Sequence, residues 1–211
     1  MSERVSHLMS TMATPFSKSK PGAAKYKSIQ WHPSDFNVIA AGSTDGSIGL
    51  FDLEIEKLVK IPPIEKGVAI VDIKWDTLSD IYILAANMNG SIRLIDISTQ
   101  EHVRSFEREI TGEIQSLCWL PFAPGSFATA NSRTGTLKIW NVSQSKPIER
   151  LRLHSTAFHS FTMIPNSERA LCSFVDGSVC LYHMKKKQKG ESHSVSARLD
   201  EDEKYIRATN Y

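Results

Sequence analysis

The sequence has little cysteine, no long apolar segment and no excess of charge of one sign. Its 211 residues include three cysteines, and 25 lysines and arginines stand against 23 aspartates and glutamates. A charge this close to neutral argues against nucleic acid or an anionic membrane as the main partner. Neither terminus carries an apolar run that could span a bilayer, and residues 1–22 lack the hydrophobic core of a signal peptide. We therefore expect an intracellular protein, in the cytoplasm, with the nucleus as the alternative location.

The cysteines and histidines show no pattern of a metal site or of a nucleophile. Cys118, Cys172 and Cys180 form no C-x-x-C pair, and the seven histidines have no metal-ligand spacing. Free cysteine usually behaves as a small core residue, so we expect buried thiols. No serine stands in a G-x-S-x-G motif. These observations predict a chain without enzymatic activity, cofactor, metal or small-molecule substrate.

A repeat of about 44 residues organises most of the chain. Trp31, Trp75 and Trp119 are 44 residues apart, and a further 44 residues lead to Met163. Downstream of each stands a turn glycine, namely Gly46, Gly90, Gly135 and Gly177. An apolar strand then ends on a polar residue, with the closing pairs Phe51-Asp52, Ile95-Asp96, Trp140-Asn141 and Tyr182-His183. A period of this length is typical of stacked structural units.

Each unit is predicted to form short strands. The first strand alternates apolar and polar residues, the second is small and apolar, and the third follows the turn glycine. A fourth strand is expected in KLVKI, HVRSF and PIERLRL, whereas the hydrophilic chain after His183 offers none for the last unit. Near the N-terminus only RVSHLM offers another outer strand. The pattern predicts an all-β fold, a β-propeller of about four blades with four antiparallel strands each.

The segment GSTDGSIGLFD, residues 42–52, also contains the residue types of a phosphate or metal loop. No lysine follows Gly46, as a phosphate-binding loop requires, and Asp45 and Asp52 are too few ligands for a calcium loop. The other units carry Asn-Gly, Thr-Gly and Asp-Gly at the same place. Asp-Gly and Asn-Gly are typical of two-residue hairpin turns with positive φ. We therefore predict a tight hairpin turn before each third strand.

The blade endings GTLKIWN and GSIGLFD, in units of this period, resemble those of WD repeats, also called WD40 repeats. The resemblance covers about residues 26–184 and implies a WD-repeat β-propeller. The chain departs from the family pattern because it has no Gly-His dipeptide, and only Asp45 and Asp176 keep the aspartate of the turn. We therefore expect apolar packing, more than a buried polar network, to hold the blades together.

The repeats divide the chain into three parts. We predict disorder in residues 1–25 and 185–211, and repeats at about 26–66, 67–110, 111–155 and 156–184. WD-repeat rings usually have more blades than this, so a partial, open propeller is favoured, as in a truncated product. A small closed ring and completion by a partner are the alternatives, since an open blade face exposes apolar surface and strand edges.

The resemblance implies a non-catalytic scaffold for protein–protein interaction. Its contact face would be lined by the turns before the third strands and the loops that lead into the next repeat. The candidate partner-binding residues are Asp45, Glu65, Lys66, Arg108, Glu109, Glu113, Arg133 and Asp176. Their mixed charge suits a polar protein or peptide partner. A histone-tail or nucleic-acid-associated propeller, or a truncated non-functional fragment of a larger WD-repeat protein, is the alternative.

Overall fold

The computed structural model describes residues 14–15, 25–63, 65–76, 78–108, 113–186, 195–199 and 206–207. Within these ranges the secondary structure consists of strands, joined by loops and turns, and contains no helix. No helix that could span a membrane therefore occurs in the described part of the chain. The fold is all-β, with four antiparallel sheets in two compact units, residues 1–108 and 109–211.

The first unit contains two sheets, blade 1 and blade 2. Blade 1 consists of β1 (Thr14–Pro15), β2 (Tyr26–Trp31), β3 (Val38–Ser43), β4 (Ile48–Asp52) and β5 (Lys57–Ile61), in the spatial order β1-β5-β4-β3-β2. Blade 2 consists of β6 (Ile70–Trp75), β7 (Tyr82–Asn87), β8 (Ile92–Asp96) and β9 (Glu101–Ser105), in sequential order. Each blade is therefore an antiparallel meander of four strands, to which β1 adds a two-residue edge in blade 1.

The second unit repeats this arrangement. Blade 3 consists of β10 (Ile114–Trp119), β11 (Ser126–Asn131), β12 (Thr136–Asn141) and β13 (Glu149–Arg152). Blade 4 consists of β14 (Phe158–Met163), β15 (Arg169–Phe174), β16 (Ser178–Lys186) and β17 (Val195–Leu199), and β18 (Ile206–Arg207) also pairs with β16. The first strands end at Trp31, Trp75, Trp119 and Met163, the residues that define the period in the sequence.

Neighbouring blades in a unit pack face to face through apolar residues. In the first unit, Ala40, Ile48 and Leu50 of blade 1 share a buried cluster with Ile73 and Trp75 of blade 2. In the second unit, the blade 3 residues Ala128, Leu137 and Ile139 share a cluster with the blade 4 residues Phe161, Met163 and Tyr182. Burial of these side chains supplies most of the free energy that holds two sheets together.

The charged segment after His183 contains strands that we did not expect. β17 pairs with β16 along Tyr182–Lys186 and completes blade 4 as its fourth strand. The sequence VSARL alternates apolar and polar residues at period two, but it stands in a hydrophilic segment that hides this signal. Likewise, β1 pairs with β5 although it lies in residues 1–25. The other predicted disorder, and RVSHLM, fall outside the described residues.

The turns before the third strands are hairpin turns, but they are longer than predicted. In blade 1 the Ser43 N–H donates to the Ser47 carbonyl (2.9 Å), and the Gly46 N–H donates to the Ser43 carbonyl (3.2 Å), so three residues lie in the loop. Only the glycine has positive φ, 87° at Gly46, 81° at Gly90 and 83° at Gly177. A three-residue loop ending in a left-handed glycine is the next most common hairpin connection. The two-residue turn type that we predicted is therefore wrong.

Candidate functional site

The predicted partner-binding residues stand on two kinds of connection. One is the turn between the second and third strands, and the other is the loop that leads from a fourth strand to the next first strand. Because successive strands are antiparallel, both connections emerge at the same end of a sheet. We call this end of each unit its turn face. In the first unit it includes Asp45, Glu65, Lys66, Asn89 and Arg108.

Glu65 is the centre of the turn face in the first unit. Its Oε1 accepts hydrogen bonds from Asn89 Nδ2 (2.9 Å) and Arg108 Nη2 (3.3 Å), and its Oε2 accepts from Arg93 Nη2 (3.1 Å). The hydrogen bond from Asn89, with the two arginines, holds the pKa of Glu65 below its ordinary value despite a smaller opposing effect of burial. One carboxylate therefore ties the loop between the blades to the turn and third strand of blade 2.

Asp45 holds the corresponding turn of blade 1. Its carboxylate accepts hydrogen bonds from the Ser47 N–H (2.9 Å) and from Lys60 Nζ (2.8 Å), and its carbonyl accepts from the Gly67 N–H (3.2 Å). Burial raises the pKa of the Asp45 carboxyl, but hydrogen bonds from Lys60 and Ser47 together outweigh it and hold that pKa far below its ordinary value. Asp45 is therefore ionised and structurally engaged at neutral pH.

A small open pocket lies beside Glu65, in the first unit. Its enclosed space is about that of one water molecule, and its lining combines Glu65 and Arg93 with apolar residues such as Ile70 and Ile95. The Nε–H of Arg93 is buried without a hydrogen-bond partner, although both terminal nitrogens of its guanidinium donate hydrogen bonds. A buried donor without a partner favours binding of an acceptor oxygen. In this conformation the pocket therefore has room for about one acceptor oxygen.

Two exposed side chains flank this site. Lys66 follows Glu65 directly and is exposed, and Met88 precedes Asn89 in the turn of blade 2 and is also exposed. Sequence reasoning predicted Lys66 but missed Met88 and Arg93. The signal for Arg93 is a charged residue inside the otherwise apolar third strand IRLID. The first unit thus brings Glu65 and Arg108 together, with Lys66 beside them, as predicted residues of one surface.

The predicted residues of the second unit are more separate. Glu113 and Arg133 are exposed, and Asp176 accepts hydrogen bonds from the Ser178 N–H (3.0 Å) and Oγ (2.6 Å). His154 Nε2 lies 3.9 Å from Asp176 Oδ2. Among the described residues of this unit, no hydrogen bond or ion pair joins Glu113, Arg133 and Asp176 to one another. Glu109 lies outside the described residues.

The closing polar residues of blades 1, 2 and 3 fold back on the turn that follows them. Asp52 Oδ1 accepts from the Glu54 N–H (3.0 Å), and Asp96 Oδ1 accepts from the Ser98 N–H (2.8 Å). Asn141 does the same with the Ser143 N–H (2.9 Å). A side-chain oxygen that bonds the backbone two residues on is the usual stabiliser of such a turn. These positions thus shape the end of the blade opposite the turn face.

Polar contacts also reach the blade interiors of the second unit. The buried Trp140 Nε1 donates to Thr129 Oγ1 (3.0 Å), and the Tyr182 hydroxyl donates to the Leu153 carbonyl (2.7 Å). Apolar packing therefore acts together with individual hydrogen bonds in blades 3 and 4. In blade 2, Ile95 and Ala85 stand at the positions of Trp140 and Thr129, so an apolar pair replaces that hydrogen bond.

Two of the three cysteine thiols are shielded from solvent. Cys172 and Cys180 are buried and Cys118 is half-buried. Burial raises the pKa of the Cys172 thiol far above its ordinary value, and the neighbouring Cys180 raises it further. Within the described residues, no group of three or more His, Cys, Asp or Glu side chains is placed to hold a metal ion.

The period and the four-strand meanders define a β-propeller fold, and the closing dipeptides are similar to those of WD repeats. Residues 29–119 match the family model of the anaphase-promoting complex subunit 4 WD40 domain. The chain is 27% identical over 147 residues to the APC/C activator protein CDC20 of Saccharomyces cerevisiae, covering 69% of this chain and 23% of that protein.

Two further relatives show similar levels of identity. Human coronin-7 is 24% identical over 127 residues, which are 58% of this chain and 14% of coronin-7. The E3 ubiquitin-protein ligase COP1 of Pisum sativum is 23% identical over 159 residues, or 74% of this chain and 22% of that protein. The chain thus spans a quarter or less of the length of these relatives.

Proposed function

We propose that this chain is a non-catalytic scaffold that binds a protein or peptide through the turn face of its first unit. WD40 domains generally serve as interaction domains without catalysis of their own, and the match over residues 29–119 supports this reading. The observation that carries the proposal is the Glu65 cluster, in which three side chains from separate segments converge on one carboxylate. Loops held by such a network form a preorganised surface, which lowers the entropy lost on binding.

The chemistry of this surface defines the partner. Arg93 lines the pocket, and Lys66 and Arg108 add positive charge beside Glu65. Met88 supplies an exposed, flexible apolar contact beside them. A peptide segment that combines an acidic residue with an apolar residue would match these groups. We infer that such a segment inserts a carbonyl or carboxylate oxygen towards Arg93.

The proposal is tested by capturing partners with matched variants of blade 2. Met88 and Leu78 are both exposed apolar loop residues, but Leu78 lies between β6 and β7, at the opposite end of the sheet. We expect Met88→Asp to lose proteins that the wild-type chain captures from a cell extract, quantified by mass spectrometry. The control Leu78→Asp should retain them, because it leaves the turn face unchanged.

A second variant tests the charge at the rim. Lys66→Glu reverses the charge of an exposed side chain. It should reduce the amounts of the same captured proteins, and the reduction should be larger at low salt than at high salt. If Met88→Asp and Leu78→Asp capture the same proteins in equal amounts, the turn face is not the contact surface. If the chain instead captures RNA, and the amount of bound RNA falls steeply as the salt concentration rises, the nucleic-acid alternative is favoured.

Two finer predictions accompany this proposal. The segments WDTLSDIYILAANMNGSIRLIDISTQ and WLPFAPGSF, with the blade end GTLKIWNVSQSKPIERLRL, resemble WD repeat-containing protein 17, a long protein with several propellers. That closer resemblance stays a prediction, as does a location inside the cell, in the cytoplasm with the nucleus as the alternative.

A further inference from the structure

Blade 1 has an apolar face that is exposed although its counterpart in blade 2 is buried. Ile29 and Trp31 on β2 are 61% and 56% exposed. The residues 44 positions later, Ile73 and Trp75 on β6, are 0% and 4% exposed because they pack against blade 1. Ile39 and Phe51 lie in register with Trp31 across the sheet and extend the face. We call these four residues the receiving face.

The second unit shows the same use of these repeat positions. Phe161 and Met163 on β14 stand where Ile29 and Trp31 stand on β2, and both are buried in the cluster shared with blade 3. In both units, therefore, this face of a blade receives the preceding blade. Blade 1 carries the same side-chain pattern, and an apolar face of this kind marks an interaction surface.

Blade 4 exposes one leucine on the complementary face. Leu171 on β15 occupies the repeat position of Ala40 in blade 1, which is 0% exposed against blade 2, yet Leu171 is 42% exposed. Its neighbours Ala170 and Cys172 belong to the cluster shared with blade 3, so Leu171 points to the opposite side of the sheet. Leu181, which pairs with Leu171 across the sheet, is 8% exposed, so Leu171 is the exposed residue of this pair. We call Leu171 and Leu181 the offering face.

The turn glycines give an independent difference between blade 4 and blades 1 and 3 in the described part of the chain. A Cβ added at Gly46 would lie 2.8 Å from the Val68 carbonyl and 2.9 Å from that of Glu65, in the loop that leads into blade 2. A Cβ at Gly135 would overlap the His154 carbonyl in the loop that leads into blade 4. At Gly177 the same Cβ meets no heavy atom within 4 Å. The turn of blade 4 therefore has the glycine but not the covering loop.

We propose that two copies of this chain associate head to tail, with the offering face of one copy packed on the receiving face of the other. This contact would repeat the blade-to-blade packing that both units already show. Both faces of the interface belong to this one sequence. A second copy of the chain can therefore cover the receiving face without any other protein. Such a heterologous contact either closes a ring or extends into a chain. The inference does not depend on the function proposed for the turn face.

Substitutions on the two faces provide the test, with the full chain studied by size-exclusion chromatography and light scattering at micromolar concentration. The wild-type chain should be dimeric or larger, whereas Trp31→Asp and Leu171→Asp should each be monomeric. Val103→Asp on β9 changes an exposed apolar residue outside both faces and should associate like the wild type. Because the substituted side chains are exposed, circular dichroism should show that all three variants remain folded.

Mixing the two monomeric variants identifies the contact. Trp31→Asp keeps an intact offering face and Leu171→Asp keeps an intact receiving face, so an equal mixture should form a dimer of one copy of each. A wild-type chain that is monomeric overturns the proposal. So does a mixture that stays monomeric, a Val103→Asp variant that dissociates, or an association that survives Trp31→Asp.

Discussion

At the residue scale, the turn glycines share one position in the repeat but meet different physical demands. Gly177 has a positive φ of 83° and open space around its missing side chain. Gly135 does not have a positive φ, but the carbonyls of His154 and Thr156 approach it closely. One glycine is therefore required by its backbone conformation and the other by the approach of a neighbouring loop.

Alanine substitutions in the second unit separate these two demands. Gly177→Ala should lower the free energy of unfolding by about 1 kcal/mol, the cost of a left-handed conformation for a residue with a Cβ. Gly135→Ala should lower it by about 2–3 kcal/mol, because the backbone of the 154–156 loop must move to relieve the overlap. Urea unfolding followed by circular dichroism measures both. Equal losses would show that close approach at Gly135 has no energetic weight.

The Asp45–Lys60 ion pair predicts a pH dependence of stability. Because the pKa of Asp45 is lower in the folded chain than in the unfolded chain, its contribution is complete above about pH 4 and is lost as the pH falls through the folded pKa. Asp45→Asn keeps an acceptor for Ser47 but loses the pair with Lys60. Both partners are partly exposed, so the loss at pH 7 should stay under about 1 kcal/mol.

Urea unfolding of wild type and Asp45→Asn between pH 7 and pH 3 measures this contribution. The two chains should converge in stability as the pH falls below about 4. Asn89, at the same position in blade 2, already accepts hydrogen bonds from Ser91 and shows that an amide suits this turn. A difference that stays constant down to pH 3 would contradict the assignment of the effect to the carboxylate.

Sequence reasoning at this scale identified positions better than contacts. It placed Glu65 and Arg108 on one surface because both stand in loops between repeats, and the structure joins them by an ion pair of 3.3 Å. It missed Arg93 because a residue on a strand was assumed to serve packing. The length of the hairpin turn was also missed, since Asp-Gly occurs both in two-residue turns and in three-residue loops with a left-handed glycine.

At the element scale, the strand pattern was largely predictable. Period-two alternation predicted the first strands, and KLVKI coincides with β5 at Lys57–Ile61. β17 was not predicted, because its alternation covers only five residues. The charged composition of the surrounding segment is typical of a disordered tail and outweighed this short signal. Which face of a strand is covered could not be read from the pattern, since Ile29 and Ile73 stand at the same position of the repeat but are 61% and 0% exposed.

The contrast between Ile29 and Ile73 gives the prediction for the blade faces. Ile73→Ala removes a fully buried side chain from the cluster between blades 1 and 2 and should lower the free energy of unfolding by about 2–5 kcal/mol. Ile29→Ala should change it by less than about 0.5 kcal/mol. Both substitutions should be made in the Leu171→Asp variant, so that association does not contribute to the measured free energy of unfolding. A large loss for Ile29→Ala would mean that the receiving face is covered within one chain.

At the scale of the whole molecule, each unit contains its own apolar core. The first unit buries residues from blades 1 and 2, and the second buries residues from blades 3 and 4. Repeat proteins gain stability from each interface between neighbouring repeats, and a terminal repeat without a polar cap leaves one interface unmade. The exposed Ile29 and Trp31 of blade 1 and the exposed Leu171 of blade 4 mark two such surfaces, and packing them in the proposed contact would add stability.

Association of this kind makes the melting temperature depend on protein concentration. If folding is coupled to the head-to-tail contact, each tenfold increase in concentration adds about 1.4 kcal/mol of mass-action stabilisation per dimer. For a dimer of this size that is roughly 2 °C in melting temperature. Differential scanning calorimetry should show this rise for the wild type and for Val103→Asp, and a constant melting temperature for Leu171→Asp. A wild-type melting temperature that does not change over a hundredfold range of concentration would mean that the two open faces contribute nothing to stability.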